Sequence, residues 1–484
     1  MELPESNPKD RKIQDDLSRM SDPSFTIQCS IVDLAQPTMG IGMRVKDIPL
    51  DAVVPLSCTL LPSPFPEYWF DYAKSIQIDL NAVIHNVAYD DEFLIKSLKS
   101  TVTVDEFTAK LFEIYQTVLQ EGTNQGISLG LLRSDYLLNM KENEKDLGLK
   151  QVEINTIASS FGGLCPKLQT LHQYILGCLK IKTSENALPC NPATEELAKG
   201  FYLAWETYGN INAVLLFIVE EITYNICDQR ALEFCISEKY SHKVVVLRHK
   251  FSELYNTVSV KNGKLFVQDF EVAVVYYRTG YDPSQYNAKD WEIRLLIEKS
   301  KAIKCPSIRY HLAGTKKIQQ ELTKPGILEK FLPNLSSASK IREIFANQYS
   351  LDMNEDGNKV IKMALETPEK FVLKPQREGG GHNVYGKNVK KVLEEISSSK
   401  EREGYILMEL INSPSVENYI IQWNKDAIPC QVICELGIFG VILGSKDSIL
   451  HNFDAGYILR SKTVDSNETG IAAGFGALDT PFLN

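Results

Sequence analysis

The sequence predicts an α/β protein with more than one lobe, and two observations support this fold class. The 484 residues exceed the usual size of a single hydrophobic core. Short runs rich in β-branched and aromatic residues alternate with longer segments of helical apolar spacing, which is typical of a sheet covered by helices. With 44% hydrophobic and 24% charged residues, the composition is that of a globular protein. We therefore expect buried strands that alternate with helices.

Apolar spacing predicts two helices, over residues 104–121 and 195–208, and in the second Leu197, Phe201 and Trp205 recur at every fourth position. The predicted buried strands are five apolar runs, at 244–247, 272–277, 371–373, 405–408 and 432–443. Segments 346–358 and 396–404 are charged and polar, so we expect surface connections or a mobile margin there.

The formal net charge of −10 argues against a general nucleic-acid-binding protein, because phosphate backbones are bound through an excess of basic residues. The ten cysteines include no C-x-x-C pair and the seven histidines are dispersed, so we expect reduced thiols and no zinc site. The first ten residues lack an apolar signal core, and no apolar run could span a bilayer. We expect a soluble, cytoplasmic protein without membrane contacts, although a mature secreted chain that had lost its signal peptide would have the same composition.

The strongest local motif leads from a predicted strand into a loop that carries Lys374, Glu378 and three consecutive glycines, Gly379, Gly380 and Gly381. Glycines let backbone N–H groups approach phosphate oxygens closely. A lysine neutralises phosphate charge, and a carboxylate suits Mg²⁺, which prefers oxygen ligands. Three glycines most often form a flexible turn, but the Lys-x-x-x-Glu directly before them favours a phosphate-binding loop.

A second motif is Glu153 and Asn155, which lie two residues apart in a predicted strand and therefore face the same side. A carboxylate beside an amide oxygen suits magnesium. Alone, this pattern more often marks a solvated strand face. Together with Glu378 it makes a ligand set for two ions.

Three arginines, Arg133, Arg278 and Arg460, each follow apolar residues. Guanidinium groups bind carboxylates through two parallel hydrogen bonds, so the three suit a carboxylate-rich, peptide-like substrate if they converge. For any one of them taken alone, a structural ion pair is the more common role. The small residues of 470–476 fit either a loop that closes over a substrate or a tight packing corner.

Together these segments resemble the eukaryotic glutathione synthetases, a family of ATP-grasp enzymes, from about residue 62 to the C-terminus. The most specific likeness is at 133–136, 153–157, 225–230, 312–320, 374–381, 405–409 and 470–474. The resemblance implies an α/β, mixed α+β fold: an ATP-grasp body with a glycine-rich lid and an inserted substrate domain with a parallel sheet. The implied domains are the N-terminal body at 1–214, the inserted domain at 215–316 and the C-terminal body at 317–484, with the lid at about 345–410 and an acceptor loop at 465–476.

The resemblance also implies an ATP-dependent ligase that joins γ-glutamylcysteine and glycine to form glutathione. ATP would phosphorylate the cysteinyl carboxylate, and the amine of glycine would attack the resulting acyl phosphate. Such an enzyme must neutralise phosphoryl charge, hold two reactants in line and exclude water with its lid. The family further implies Mg²⁺, two ions with ATP as co-substrate, and a homodimer.

The resemblance assigns roles to individual residues. The implied magnesium ligands are Glu153, Asn155 and Glu378, and the implied catalytic residues are Arg460, Lys316 and Lys374. Residues implied in binding the nucleotide and its ions are Glu153, Lys316, Lys374, Gly379, Gly380, Gly381, Asn383, Tyr385, Met408, Glu409, Leu410, Ile411, Glu435, Lys462 and Glu468. Those implied in binding the dipeptide and glycine are Arg133, Ile157, Ala158, Ser159, Ser160, Asn225, Gln229, Arg278, Tyr281, Arg460, Ile471 and Ala472.

Four positions depart from the pattern expected of the family: Ala158, His382, Cys434 and Thr469. Ala158 removes a serine hydroxyl from the substrate wall, and Thr469 puts a β-branched residue where a glycine is expected. Two interpretations therefore stay open. One is a working glutathione synthetase; the other is a diverged paralogue with altered acceptor specificity or reduced activity, acting as a ligand-binding protein. A generic ATP-grasp ligase for another acid ranks below both, because it leaves the segments 225–230 and 278–281 unexplained.

Overall fold

The computed structural model describes residues 38–46, 48–122, 124–141, 147–184, 186–240, 243–378, 380–467, 470–471, 474 and 476–484. Its strands in chain order are β1 Gly42–Met43, β2 Val54–Pro55, β3 Cys58–Thr59, β4 Ser63–Phe65, β5 Ser128–Met140, β6 Leu147–Asn155, β7 Val214–Val219, β8 Val246–Lys250, β9 Val258–Lys261, β10 Lys264–Val267, β11 Phe270–Tyr277, β12 Ile303–Cys305, β13 Gln348–Ser350, β14 Phe371–Pro375, β15 Val384–Tyr385, β16 Tyr405–Glu409, β17 Val416–Ile421, β18 Pro429–Gly444, β19 Ile449–Thr463, β20 Ala477–Asp479 and β21 Pro481–Leu483. Its α-helices are α1 Glu67–Ala88, α2 Asp91–Leu98, α3 Glu106–Glu121, α4 Cys165–Cys178, α5 Ala193–Tyr208, α6 Ile226–Lys239, α7 Phe251–Leu254, α8 Ala288–Glu298, α9 Ile308–Ala313, α10 Lys316–Thr323, α11 Ile327–Phe331, α12 Leu335–Ile344, α13 Glu355–Glu366 and α14 Lys387–Ile396. The predicted mixed α/β class is confirmed.

A 13-stranded mixed sheet is the frame of the molecule. In its antiparallel half, β18 lies between β19 and β5, and β5 also pairs with β6. At β12 the sheet becomes parallel, and β12, β11, β7 and β8 follow in that order. All six residues of β7 are buried, as expected for a parallel strand covered on both faces. The parallel strands lie in the stretch for which the resemblance implied a parallel sheet, and they continue the main sheet rather than forming a separate one.

Helices cover both faces of this sheet, because consecutive residues of a strand point to opposite sides. In β18, Ile438 and Ile442 pack in the core that α1 covers. Phe439 and Val441 pack on the other face, under α5. The helix predicted at 195–208 is α5, and the one predicted at 104–121 is α3, whose Asp105 caps the first turn by accepting a hydrogen bond from Thr108 N at 2.8 Å.

A smaller antiparallel sheet, in the order β13-β16-β14-β15, is built from residues of the predicted lid. Phe371 and Leu373 of β14 share one core with α13 and α14. Val372 alternates with them and packs against Met408 on the opposite face. This alternation directs Lys374 to the same side as Val372, away from the helices.

The expectation that 346–358 and 396–404 are surface connections holds in part. Segment 396–404 joins α14 to β16 at the surface, whereas 346–358 contains β13 and the start of α13, and a buried arginine ties the two segments together. Arg402, 2% exposed, donates hydrogen bonds to the carbonyl oxygens of Leu351, Asp352 and Ser397 at 2.6–2.7 Å. Polar composition here reflects a satisfied internal network, because a buried guanidinium needs several acceptors.

The strand predicted at 244–247 begins two residues later, as β8 Val246–Lys250. Nine described cysteines are free thiols, as predicted. No helix in the described part of the chain combines the length and the apolar character needed to cross a membrane.

Candidate active site

A cavity of about 1030 Å³ is lined by residues from both halves of the main sheet and from the smaller sheet. Most residues assigned a role from the resemblance line it: Arg133, Glu153, Asn155, Ile157, Ala158, Ser159, Ser160, Asn225, Arg278, Tyr281, Lys316, Lys374, Glu378, Gly380, Asn383, Tyr385, Met408, Glu409, Leu410, Ile411, Glu435, Arg460, Lys462 and Ile471. Gly381 and Gln229 are not on the cavity wall, although Gln229 Nε2 donates to Asn225 Oδ1 at 2.9 Å. Gly379, Glu468 and Ala472 lie outside the described residues.

At one end of the cavity, two lysines meet two carboxylates that arrive on different elements. Lys316 begins α10, is 5% exposed, and has its Nζ 3.1 Å from Glu378 Oε1 and 3.6 Å from Glu153 Oε2. Lys374, also buried, donates from Nζ to Val152 O at 3.0 Å. Lys374 and Val152 are more than 200 positions apart in the sequence, yet the fold brings them into contact. The positive charges that phosphate binding requires are thereby placed close together.

The protonation states at this end follow from burial and from neighbouring charge. Burial raises the pKa of Glu153, but the cations around it, Lys316 first, outweigh burial and hold that pKa at about 2. Burial raises the pKa of Glu378, and Glu153 adds to the rise against the opposing effect of Lys316. Burial lowers the pKa of Lys316, yet Glu378 and Glu153 raise it overall, so this ammonium stays charged at neutral pH.

The predicted metal ligands have the chemistry that Mg²⁺ requires. Asn155 Nδ2 donates to Asp135 Oδ2 at 2.9 Å, which leaves its amide oxygen as the donor atom for an ion. Glu153 and Glu378 already hold a cation, the Lys316 ammonium, between them. Among the described residues, no group of three His, Cys, Asp or Glu side chains is placed to hold a metal. The ligand set that suits Mg²⁺ therefore combines two carboxylates, Glu153 and Glu378, with the amide oxygen of Asn155.

A network of charged side chains occupies the wall formed by β5, β18 and β19. Arg133 makes a two-pronged contact with Asp135, from Nε to Oδ1 at 2.6 Å and from Nη2 to Oδ2 at 2.8 Å. Arg460 Nη2 donates to Asp135 Oδ2 at 2.9 Å and to Glu435. Burial lowers the pKa of Arg460, but Glu435 and Asp135 outweigh it and raise that pKa above its usual range.

The third arginine, Arg278, is held separately at the carboxyl end of β11. It is 2% exposed, and it donates to Ser159 O at 3.1 Å and to Ser160 Oγ at 2.9 Å. Asp228 lies 3.7 Å away and accepts from the backbone N–H groups of Phe161 and Gly163, which fixes the loop that carries both serines. Arg278 Nε and Ser159 Oγ are buried without a partner among the described residues, so hydrogen-bonding capacity remains for a ligand.

Sequence reasoning missed two carboxylates, Asp135 and Glu220. Glu220 lines the cavity, and its Oε2 accepts from Gln229 Nε2 at 3.3 Å. Its neighbour Glu221 also lines the cavity, but its carboxylate is paired: it lies 3.3 Å from Lys250 Nζ and accepts from Ser252 Oγ at 2.7 Å. The pattern that could have revealed Glu220 is a polar residue directly after the buried parallel strand β7, since ligands bind at the carboxyl ends of such strands.

The departures from the family pattern fall in different places. Ala158 lines the cavity with a positive φ of 52°, and His382 Nε2 lies 3.8 Å from Asp282 Oδ2. Cys434 is buried behind the wall, where Ser461 Oγ donates to its Sγ at 3.3 Å. Thr469 lies outside the described residues.

Comparisons with known proteins agree with the geometry. Residues 31–483 match the family described as eukaryotic glutathione synthase, ATP binding domain. The glutathione synthetase of Rattus norvegicus is 44% identical over 89% of this chain and 91% of its own length, and that of Homo sapiens is 43% identical over 92% and 94%. A solved structure of a glutathione synthetase-like effector from Globodera pallida shares the fold, with a TM-score of 0.78 at 23% identity over 96% of this chain and 98% of its own. The chain belongs to the eukaryotic glutathione synthase family.

Proposed function

We propose that this chain is an ATP-dependent ligase that forms glutathione from γ-glutamylcysteine and glycine. The observation that carries the proposal is one cavity lined both by Lys316 and Lys374, whose charge suits phosphates, and by Arg133, Arg278 and Arg460, whose guanidiniums suit carboxylates. Relatives named glutathione synthetase that match across about nine-tenths of the chain, at 41% to 44% identity, give further support.

In the first step, an oxygen of the cysteinyl carboxylate attacks the γ-phosphorus of ATP, and ADP leaves. Lys316 and Lys374 neutralise the charge that builds on the transferring phosphoryl group, and their burial strengthens that interaction because the surrounding dielectric is low. In the second step, the neutral amine of glycine attacks the acyl carbon, phosphate leaves and the amine loses a proton. Arg460 would hold the glycine carboxylate within reach of that carbon.

Glu153, Asn155 and Glu378 would hold Mg²⁺, which supplies charge neutralisation on the triphosphate. The family resemblance is also our ground for proposing two such ions and a homodimer. A cytoplasmic location is consistent with the nine free thiols among the described cysteines. Light scattering on purified protein tests the homodimer, and fractionation of the source cells tests the location.

The head group of γ-glutamylcysteine carries an ammonium beside a carboxylate, and the cavity has a group for each. Arg278 suits the carboxylate. Glu220 supplies the opposite charge at the same end, and no lysine or arginine in the described ranges lies within ion-pair distance of it. We therefore assign the ammonium to Glu220.

The test is ADP release by purified protein, with product mass measured in parallel. Turnover should require ATP, Mg²⁺, γ-glutamylcysteine and glycine together. A panel of glycine, β-alanine, serine and glutamate as acceptors separates glutathione synthesis from the diverged-paralogue alternative, which no structural observation favours. Absence of phosphoryl transfer with all substrates present would refute the proposal.

A further inference from the structure

Asp135 lies at the centre of the charged wall and reaches no ligand itself. It is 0% exposed and does not line the cavity. Its three hydrogen-bond donors, Arg133, Asn155 and Arg460, all do. Any effect of Asp135 on bound substrates must therefore pass through these three side chains.

Both carboxylate oxygens of Asp135 are engaged. Oδ1 accepts from Arg133 Nε at 2.6 Å. Oδ2 accepts from Arg133 Nη2 at 2.8 Å, from Asn155 Nδ2 at 2.9 Å and from Arg460 Nη2 at 2.9 Å. One rigid group thereby orients two guanidiniums and one amide that belong to three different strands.

The strand register makes room for this carboxylate. Asp135 of β5 lies opposite Gly437 of β18. A Cβ at position 437 would stand 2.6 Å from Asp135 Oδ1, 2.6 Å from Ile458 Cγ2 and 2.9 Å from Arg133 Cδ, closer than non-bonded heavy atoms approach. Position 437 must therefore be glycine if the side chains of Asp135 and Arg133 are to lie against the backbone of β18.

We propose that Asp135 is a positioning residue: it fixes Arg133, which binds the dipeptide, relative to Arg460, which binds glycine. The inference rests on the proposed function, in which Arg133 holds the dipeptide and Arg460 holds glycine. The two reacting atoms must be held about 3–3.5 Å apart, and a misplacement of about 1 Å can lower the rate about 10²-fold. A carboxylate shared by both arginines removes their freedom to move independently.

Charge compensation alone does not account for Asp135. Arg460 already has Glu435 as a partner, and Glu153 lies in the same charged cluster. Asp135 differs from these two carboxylates in that it accepts hydrogen bonds from both Arg133 and Arg460. Asparagine at this position would keep the volume but would remove the negative charge and place an N–H₂ group against an N–H donor at one of the two oxygen positions, so the charged link between the arginines would be lost.

The experiment compares Asp135→Asn with Gly437→Ala and with Asp479→Asn as the matched control. Asp479 is buried at 2% exposure and accepts from Ser63 Oγ at 2.6 Å and from Ser461 Oγ at 2.5 Å, but it does not line the cavity. Asp135→Asn and Gly437→Ala should each raise KM for γ-glutamylcysteine and for glycine and lower kcat/KM about 10²-fold, with KM for ATP little changed. Asp479→Asn should lower Tm without raising either KM.

A double-mutant cycle distinguishes positioning from general stability. Arg133→Lys and Arg460→Lys should be non-additive in kcat/KM by at least about twofold in the natural sequence, and additive within Asp135→Asn. Non-additivity that persists in Asp135→Asn, or a loss of Tm with both KM values unchanged, would overturn the inference. Kd values for the dipeptide and for glycine, measured by calorimetry, distinguish a failure of the proposed function from a failure of the inference about Asp135. A natural chain without turnover counts against the proposed function, whereas unchanged Kd values in Asp135→Asn count against this inference.

Discussion

The assignment of Glu220 to the ammonium of γ-glutamylcysteine leads to a prediction with an internal control. Glu220→Gln removes one negative charge and keeps the side-chain shape, so that the contact with Gln229 at 3.3 Å remains. Glu221→Gln is the matched control, because its carboxylate is already paired with Lys250 and Ser252. The two positions are adjacent in sequence, so general effects on the loop are shared.

The expected magnitude follows from the environment of Glu220. A hydrogen bond to a charged group contributes about 1.5–3 kcal/mol, which corresponds to about 10- to 150-fold in kcat/KM. Glu220 is only partly buried, so solvent screening places the effect near the lower end. We expect Glu220→Gln to lower kcat/KM for γ-glutamylcysteine about tenfold, and Glu221→Gln to change it by less than about threefold.

The assay measures ADP release with γ-glutamylcysteine and with glutaryl-cysteine, which has a hydrogen in place of the ammonium. The natural chain should lose about tenfold in kcat/KM on changing to glutaryl-cysteine. Glu220→Gln should show no further loss with that substrate, since the interaction is absent in either case. An equal loss with both substrates would refute the assignment, because Glu220 would then act on something other than the ammonium.

Three further predictions concern the phosphate end and the lid. Glu378→Ala should lower kcat for ADP release at least about 10²-fold, because the proposed magnesium ligand is lost. The control Glu394→Ala, on the exposed surface of α14, should leave kcat unchanged. Equal activity of the two variants would show that Glu378 is not a magnesium ligand. The pKa of Glu153 lies at about 2 in the folded chain against 4.5 ordinarily, so its ionised form stabilises the fold above pH 4.5 and that stability is lost as pH falls toward 2. Denaturant unfolding across that range should show a shallower pH slope for Glu153→Gln, and an unchanged slope would contradict the lowered pKa. Arg402→Met leaves three buried or partly buried carbonyl oxygens without their donor and should destabilise the smaller sheet by about 3 kcal/mol. Hydrogen exchange should then rise in 348–409 but not in β18, and unaltered exchange would show that water replaces the guanidinium.

The elements that sequence predicted best are those in which local pattern and burial agree. The α5 helix was predicted because its apolar residues recur on one side of a helix, the side that packs in the core. The long β18 strand was predicted because it is an apolar run, as expected for a strand that is buried on both faces. Lys374 and Glu378 were found because a buried strand delivers them directly into a glycine loop. The burial of Arg402 within segment 396–404 was missed because charge was equated with solvation, whereas its guanidinium donates to backbone carbonyl oxygens inside the protein.

The carboxylates that were missed depend on pairing between distant strands. Arg133 and Asp135 alternate on one strand, yet the third partner, Arg460, is 325 positions away. Nothing local indicates that β5 and β19 flank β18 in the register that brings these atoms within 2.9 Å. Glu220 and Glu221 illustrate the same limit: both line the cavity, and only the neighbouring residues Lys250 and Ser252 show that the carboxylate of Glu221 is already paired.

The same geometry bears on Ala158, the departure that lies on the substrate wall. The loop reaches the arginines mainly through its backbone and through Ser160: Arg278 contacts Ser159 O and Ser160 Oγ, and Arg133 Nη1 contacts Ser160 O at 3.4 Å. Ser160 Oγ in turn donates to the carbonyl oxygen of Ala158 at 3.1 Å. A carbonyl is present whatever the side chain at 158, so the lost hydroxyl removes none of these contacts. The arginine positions therefore survive this substitution, which favours a working ligase over a chain that has lost its substrate site.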